Sequence, residues 1–447
     1  DWYERFLQEQ NALDLEDLIA KAVRLLKEND DLAAAYRLRF QWVLVDEYQD
    51  INPAQYRLLK ILTDTAQPNL FVIGDPNQAI YGFRGADVSF IRRFERDFPQ
   101  CARFELKISY RCTNRILKAS AKVLGDAQEA GFLSGLNEGV KIKIVSEASE
   151  KSEAEFVART IEDMMGGVRF FSMDSEVSQG EQAERIHSFA DFAILVRLNR
   201  LIPPIEKALN DHSIPYQVVG HDSWLREEPV RSLIDILRCA LTPEQCYLKE
   251  SFRERGINGQ DWQMVENYLK EKRPVSELLE IIMTHLLPPQ TAKDKRLFKK
   301  LIEISEPFGK DVQAFLQWTF LGQGQDLYQP ATERVTVMTL HASKGLEFGS
   351  VFIVGCEQGL LPYQLFENRK TDPEEERRLL YVGMTRAKHY LFLTHARRRF
   401  LFGRTYENAR SPFLDAIEKE LVELKRQQHK TKPKKNDGQL SLFDDWK

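Results

Sequence analysis

Short apolar runs punctuate the chain at 42–45, 70–74, 103–109, 192–197, 334–340, 350–355 and 390–395. Most are continuous, as in "WVLV", "LFVIG", "FAILVR" and "SVFIVG". An uninterrupted run of this length suits a strand buried on both faces, as in a parallel sheet. Between the runs, apolar residues recur at three and four, which predicts helices at 53–65, 113–124, 152–165, 203–212 and 374–388. Residues 1–40 also read as helix: "NALDLEDLIAKAVRLLKEN" puts acids early and Lys late. Strands alternating with helices predict an α/β fold built on parallel sheets. The rhythm breaks between about 241 and 330, where helical but mostly polar sequence such as "WQMVENYLKEKRPVSELLEIIMTHLL" contains no strand. That stretch reads as a helical insertion in a second α/β unit. Residues 166–188 read as a polar excursion loop, and from 419 the chain turns strongly charged and reads as a flexible tail. No internal repeat is visible beyond the weak self-similarity of two α/β cores.

The 447 residues leave room for roughly three domains. A net charge of −4 argues neither for nor against a polyanionic partner, so a nucleic-acid binder of this composition needs a local basic groove. The five cysteines (Cys101, Cys112, Cys239, Cys246, Cys356) form no CxxC pair. Neither a zinc site nor a disulfide framework is indicated, which fits the reducing cytoplasm. No apolar run reaches membrane-spanning length and no signal peptide stands at the start, so no membrane partner is expected.

The chemistry concentrates at strand ends. "VLVDEYQD" is an apolar strand ending in Asp46-Glu47. Asp46 can hold Mg²⁺, and Glu47 can polarise a water for in-line attack beside that metal. The plain alternative is a solvated acidic turn. A second strand ends in "GDPNQAIYGFRGA" at 74–86. There Gln78 can sense a γ-phosphate or the water attacking it. Tyr81 and Phe83, followed by Arg84, suit stacking on single-stranded bases. Tyr81 fits a core position equally well; Phe83 favours the base. In "KISYRCTNRIL" (107–117), Arg111 follows a strand and can act as an arginine finger, or simply be a surface Arg at a helix start. In "VTVMTLHASKGLEFGSVFIVG" (335–355), Thr339 and His341 leave a strand, Gly345 permits a turn and Glu347 precedes the next strand. In "EEERRLLYVGMTRAKHYLFLTH" (374–395), Arg386 ends a helix just before a strand, where it can face a phosphate across a cleft.

In order and spacing, "VDEYQD", "GDPNQAIYGFRGA", "SYR", "MTLHASKGLEF" and "RLLYVGMTRA" resemble motifs II to VI of superfamily 1 helicases of the UvrD/Rep/PcrA type, across residues 1 to 418. The resemblance implies two RecA-like parallel-sheet P-loop NTPase cores, the first incomplete, with a helical insertion in the second. The first core would occupy 1–104, the second 105–240 and 331–418, the 2B-like insertion 241–330 and the basic tail 419–447. It implies ATP and Mg²⁺ as cofactors, Mg²⁺ on Asp46 and Glu47, and γ-phosphate contact from Gln78. Tyr110 would stack on adenine. Arg111 and Arg386 would be the fingers. Tyr81, Phe83, Arg84, Thr339 and His341 would meet DNA, and Gly345 and Glu347 the nucleotide. The activity implied is 3′→5′ translocation on single-stranded DNA with separation of duplex DNA.

Two departures from that pattern stand out. No GxxxxGK[ST] occurs, so the phosphate loop is expected upstream of Asp1 and the chain reads as the C-terminal part of a helicase, inactive alone. The insertion before motif V is also shorter than the family's. At the far end, Gln439, Leu440, Leu442 and Phe443 of "GQLSLFDDWK" resemble the pentapeptide by which bacterial proteins bind the sliding clamp, with the basic tail as tether. A reading from another class is a non-catalytic module that binds DNA and a clamp.

Overall fold

A computed structural model describes residues 2–9, 12–65, 67–125, 133–166, 188–219, 224–225, 227–241, 249–321, 332–364 and 371–426. Most of the loop expected at 166–188, and the clamp-like residues Gln439 to Phe443, lie outside them.

The opening helical stretch is three helices, α1 (Trp2–Glu9), α2 (Asp17–Glu28) and α3 (Asp30–Arg39). They lead into β1 (Val43–Val45), α4 (Pro53–Leu62) and β2 (Leu70–Val72), then two single-turn helices, α5 (Ser89–Arg92) and α6 (Phe94–Asp97). Helix α4 starts where it does because Asn52 accepts from the amides of Ala54 and Gln55, Gln55 returns a bond to Asn52, and Pro53 pre-sets the first turn. β1 and β2 pair in parallel with Leu44 opposite Phe71. Tyr48, Ile51, Leu59 and Phe90 form the core on one face. On the other face Leu44 and Phe71 stay 72% and 57% exposed.

A minor ladder, β3 (Ile108–Ser109) with β4 (Ser134–Gly135), and helix α7 (Asn114–Leu124) lead to the main sheet. The main sheet contains eight strands, opening with β5 (Ile142–Ser149), then β6 (Phe192–Val196) and β7 (Tyr216–Val219). β8 (Val335–Thr339), β9 (Phe348–Val354), β10 (Ala387–Leu401), β11 (Arg404–Glu407) and β12 (Val422–Arg426) complete it. The spatial order is β12-β5-β10-β9-β6-β8-β7, all parallel, with β11 folded back antiparallel on β10. Alternate residues of each strand enter two different cores. Ala193 and Leu195 pack with α7 residues such as Ile116 and Leu117. Phe192, Ile194 and Val196 pack with Val157 and Ile161 of α8 (Glu150–Gly166) and with Ile205 and Leu209 of α9 (Ile202–Asp211). This is why the runs were continuous: both faces are dry.

Between β7 and β8 lie α10 (Glu228–Leu241), α11 (Lys249–Glu254), α12 (Gly259–Lys270), α13 (Val275–His285), α14 (Ala292–Ser305) and α15 (Val312–Leu321), with their own core around Leu233, Leu279, Leu301 and Phe315. Helix α16 (Pro373–Met384) precedes β10. No helix among the described residues is long and apolar enough to cross a membrane.

Several boundaries differ from expectation. The helical insertion begins near Trp224, not 241, because α10 buries Val230, Leu233 and Leu237 against the insertion and not against the sheet. The segment 419–426, expected in the tail, closes the sheet: a turn at Lys419–Leu421 leads into β12, which pairs with β5. Its charged residues alternate with Val422 and Leu424, as an edge strand permits. Of the strand expected at 103–109 only Ile108–Ser109 pairs, and Phe104 and Leu106 are 85% and 88% exposed. The strands β5, β7, β11 and β12 were not anticipated, since none is a continuous apolar run. Cys239 is disulfide-bonded, against the expectation from spacing, while Cys101, Cys112 and Cys356 are free. Chain spacing does not fix which side chains approach.

One buried charge cluster ties the sheet to α8. Arg399, Glu153 and Glu357 are all at most 2% exposed. Arg399 bonds both carboxylates. The rest of the oxygens' capacity is taken by Gly355 N (3.1 Å), Thr394 Oγ1 (2.6 Å), Ala396 N (2.8 Å) and Asn408 Nδ2 (3.1 Å). Removing the single cation strands two buried carboxylates. Arg399→Met should therefore cost about 3–5 kcal/mol in urea unfolding, whereas a loss below about 1 kcal/mol would show that the cluster is not what fixes α8.

Candidate active site

Asp46 and Glu47 leave the end of β1 as predicted, and both are exposed. Glu47 has φ 51°, a left-handed conformation uncommon for a non-glycine residue and one that turns its carboxylate out of the strand direction. Asp46 Oδ1 accepts from the Glu47 amide at 2.9 Å. Gln49, buried at the end of this turn, donates to Glu47 and accepts from the Asp75 amide at 3.0 Å. It thereby fastens the two strand ends together. Gly74 is required at this point: a Cβ there would meet Gln49 Oε1 and Ile91 Cδ1 at 2.7 Å. Gln78 donates to Asp75 Oδ2 at 2.9 Å, and burial pushes the Asp75 carboxyl above its usual range.

The second core brings its residues to the same seam. Arg386, 1% exposed, bonds the Val382 and Leu346 carbonyls at 2.9 and 3.2 Å and reaches Gln78 Oε1 at 3.5 Å. Burial, with Arg111 nearby, lowers its guanidinium to about 10. It still carries its charge at neutral pH. Arg111 pairs with Glu347 at 2.8 Å, and Lys388 pairs with the same carboxylate at 2.9 Å. Hydrogen bonds from Lys388 and then Arg111 hold the Glu347 carboxyl below its ordinary value. Tyr110 stands 81% exposed beside Arg111. Gly345 has φ +86°, which lets the β8–β9 turn fold tightly without a Cβ penalty.

Thr339 ends β8 and accepts from the Ala342 amide at 3.2 Å. His341 meets Phe83 edge-on, with ring centroids 5.3 Å apart. Phe83 is 64% exposed, while Tyr81 packs partly against the large core. Arg84 lies over both rings, at 5.3 and 5.5 Å. The structure thus brings Asp46, Glu47, Gln78, Arg111, Glu347 and Arg386 to one seam. It groups Tyr81, Phe83, Arg84 and His341 on an adjoining aromatic and cationic surface.

Residues missed by sequence reasoning hold the two cores together. Lys344, 8% exposed, reaches Glu47 Oε2 at 3.1 Å, the Gln78 carbonyl at 2.9 Å and Asp50. Arg378 bonds the Ala79 carbonyl at 2.8 Å, and Glu375 accepts from the Gly82 amide at 3.1 Å. Within the second core, Glu376 takes a forked pair from Arg197 and accepts from the Tyr363 amide. Asp50 and Gln49 lay inside the quoted "VDEYQD", but nothing in the sequence says that Lys344 crosses to them.

No cluster of three or more His, Cys, Asp or Glu able to hold a metal occurs among the described residues. Asp46 and Glu47 instead offer two hard oxygen donors, which suits Mg²⁺ completing its shell with water and phosphate. The Lys344 ammonium against Glu47 and Asp50 shows that this pocket already accommodates a cation.

Fold and seam together describe two α/β units meeting at a charged seam, and comparison with known proteins gives the family. Residues 1–99 match the UvrD/REP helicase N-terminal domain, and 104–306 and 262–398 match the UvrD-like helicase C-terminal domain. The chain belongs to the UvrD-like helicase family. It is 30% identical to the ATP-dependent DNA helicase PcrA of Bacillus subtilis over 487 residues, covering 94% of this chain and 64% of that protein. The PcrA helicase of Staphylococcus aureus matches with 30% identity over 484 residues and the same coverage. The chain thus spans less than two thirds, 64%, of the length of these relatives. The C-terminal domain of a possible DNA helicase from Lactobacillus plantarum aligns with 71% of this chain and 98% of its own at 15% identity, but its TM-score of 0.31 adds nothing to the fold assignment.

Burial, with Arg197 and Arg84 alongside, pushes the His341 imidazole down to about 3. His341 should therefore stay neutral from pH 5 to 8. Its ring protons should not shift over that range in NMR, and a titration midpoint near 6.5 would show that the ring is solvated.

Proposed function

We propose that this chain is the motor portion of an ATP-dependent DNA helicase that moves 3′→5′ along single-stranded DNA and separates the duplex ahead of it. The observation that carries the reading is the convergence of Glu47 and Gln78 from the first core with Arg386 from the second, within 3.5 Å for the Gln78–Arg386 pair. A module that only bound DNA would have no use for that convergence. The PcrA relatives and their named activity support the same reading.

In this reading ATP lies in the seam between the cores. Bound to Asp46 and Glu47, Mg²⁺ would neutralise charge on the β- and γ-phosphate oxygens. Glu47 orients the attacking water and takes up its proton. Gln78, already bridging Asp75 and Arg386, reports phosphate occupancy to the second core. Arg386 and Arg111 bring cationic charge to the phosphate that departs, and an arginine finger is worth about 10³–10⁵ in rate where it has been measured. Tyr110, exposed beside Arg111, supplies the aromatic face for adenine, and Gly345 and Glu347 flank the ribose. Phe83, with Tyr81 and Arg84 behind it, stacks on single-stranded bases, and Thr339 and His341 line the same path. Cleft closure moves the Phe83 side against the Thr339 side, which converts hydrolysis into a step along DNA.

The tail extends this reading. Gln439 fits a pocket rim and Leu440, Leu442 and Phe443 an apolar cleft, the recognition chemistry of a sliding clamp, and the Lys-rich stretch before them serves as tether.

Two experiments test the proposal. In the complete protein, with the phosphate loop expected upstream of Asp1, Glu47→Gln should lower single-stranded-DNA-stimulated ATP hydrolysis by at least about 10²-fold while nucleotide binding stays within roughly twofold. Turnover at the native rate would sink the assignment. Leu442→Ala with Phe443→Ala should abolish binding to a sliding clamp in a pull-down while leaving DNA unwinding intact. A native tail peptide with no affinity for any clamp would remove this part of the reading.

A further inference from the structure

The β8–β9 connection, residues 340–347, carries one side chain with no place in the roles above. Lys344 projects from the buried part of this turn, fixed by Ser343, whose hydroxyl bonds the Leu340 carbonyl at 2.7 Å, and by the left-handed Gly345 that follows. Its ammonium has three hydrogens and finds three oxygens, all from the opposite core: Glu47 Oε2 at 3.1 Å, the Gln78 carbonyl at 2.9 Å, and Asp50. The Tyr81 ring lies 5.3 Å away on a further side. Asp50 is itself mostly buried, and its second oxygen, Oδ1, has no hydrogen-bond partner.

This arrangement puts a protein cation on one of the two carboxylates that would receive a divalent metal. A lysine and a metal ion cannot share Glu47 without repulsion, because both carry positive charge within a few ångströms in a poorly solvated pocket. Asp50 gives the lysine somewhere to go. It sits three residues beyond Glu47, faces the same ammonium, and keeps an unused oxygen.

We propose that Lys344 is a positioning residue that acts as a gate on the metal seat. It holds Glu47 in the empty motor, and it must withdraw onto Asp50 before a divalent cation can bind Asp46 and Glu47. The turn that carries it also carries His341, which rests on the exposed base-stacking ring Phe83. A base arriving at Phe83 therefore presses on the same short turn, and nucleic acid at one end eases the lysine out of the seat at the other. The inference rests on the metal role proposed for Asp46 and Glu47.

The test measures Mn²⁺ binding to the full chain by electron paramagnetic resonance, without nucleotide, so that no turnover is needed. Native protein, Asp46→Asn, Lys344→Met, Lys344→Arg and the double variant Asp50→Asn/Lys344→Met are compared. The double variant removes both members of the buried ion pair and keeps the fold testable if Lys344→Met alone is unstable. Lys344→Met and the double variant should bind Mn²⁺ about tenfold more tightly than native, and Lys344→Arg should stay near native. Asp46→Asn should abolish binding. If Asp46→Asn binds like native, the metal reading itself fails. If Asp46→Asn is silent but Lys344→Met matches native, or if neither native nor Lys344→Met binds, the gate is overturned and the metal reading is not. A single-stranded oligonucleotide should tighten Mn²⁺ binding to the native chain and leave Lys344→Met unchanged. An equal effect on both would sever the gate from nucleic acid.

Discussion

Lys344 gives its ammonium hydrogens to Glu47, Asp50 and the Gln78 carbonyl, and the rest of the seam between the cores is arranged around that kind of contact. Arg378 reaches the Ala79 carbonyl, Arg386 reaches Gln78, and Glu375 receives the Gly82 amide. Three cations of the second core meet oxygens of the first, and one carboxylate meets an amide. Each costs desolvation and is stable only while its partner is present. Such a seam is firm when satisfied and opens when a competing cation or anion enters. The proposed cycle of closing on a nucleotide and reopening would use that property, which an apolar seam lacks. Ile80 is the exception: an apolar side chain of the first core buried in the large core of the second, it keeps the two parts in register.

The large sheet separates two kinds of surface. Arg197 and Thr339 lie at the carboxyl ends of β6 and β8, whereas Glu347 and Arg386 lie at the amino ends of β9 and β10. Five residues of strand span about 16 Å, so these ends are far apart on the scale of a hydrogen bond. The β8–β9 turn runs from one end to the other in eight residues, 340–347, and carries His341, Lys344 and Glu347 in that order. Helix α16 makes a comparable traverse, from Glu375 and Glu376 at its start to Arg386 just past its end. Two short segments therefore join the Phe83–His341 surface to the side that carries Glu347 and Arg386. Most of α16 is buried, and of the turn Leu340, Ser343 and Lys344 are buried.

Much of this was legible in the sequence. Continuous apolar runs located β1, β2, β6, β8, β9 and the start of β10; in the large sheet both faces of these strands are buried and leave no polar alternation, whereas β1 and β2 keep Leu44 and Phe71 exposed on one face. Asp46, Glu47, Gln78 and Arg111 could be named as candidates because polar residues follow an apolar run there, and Arg386 because it stands between a helix and the next strand. Strands β5, β7 and β12 escaped for the opposite reason. "IKIVSEAS" and "VELKR" mix charge into the strand, which their place near one side of the sheet tolerates, and "YQVV" is too short to register. The segment 103–109 erred the other way: it alternates like a strand but finds a partner only at Ile108–Ser109.

The sequence by itself determined the parallel α/β class, the helical interruption, and which polar residue types stand at the ends of the apolar runs, because periodicity and residue type are local properties of the chain. The tertiary structure alone decided which of those residues meet. Lys344 lies 294 residues from Asp50, and Arg386 lies 308 from Gln78. No local pattern encodes a contact over such a separation. It arises only when two sheets set their charged ends against one another.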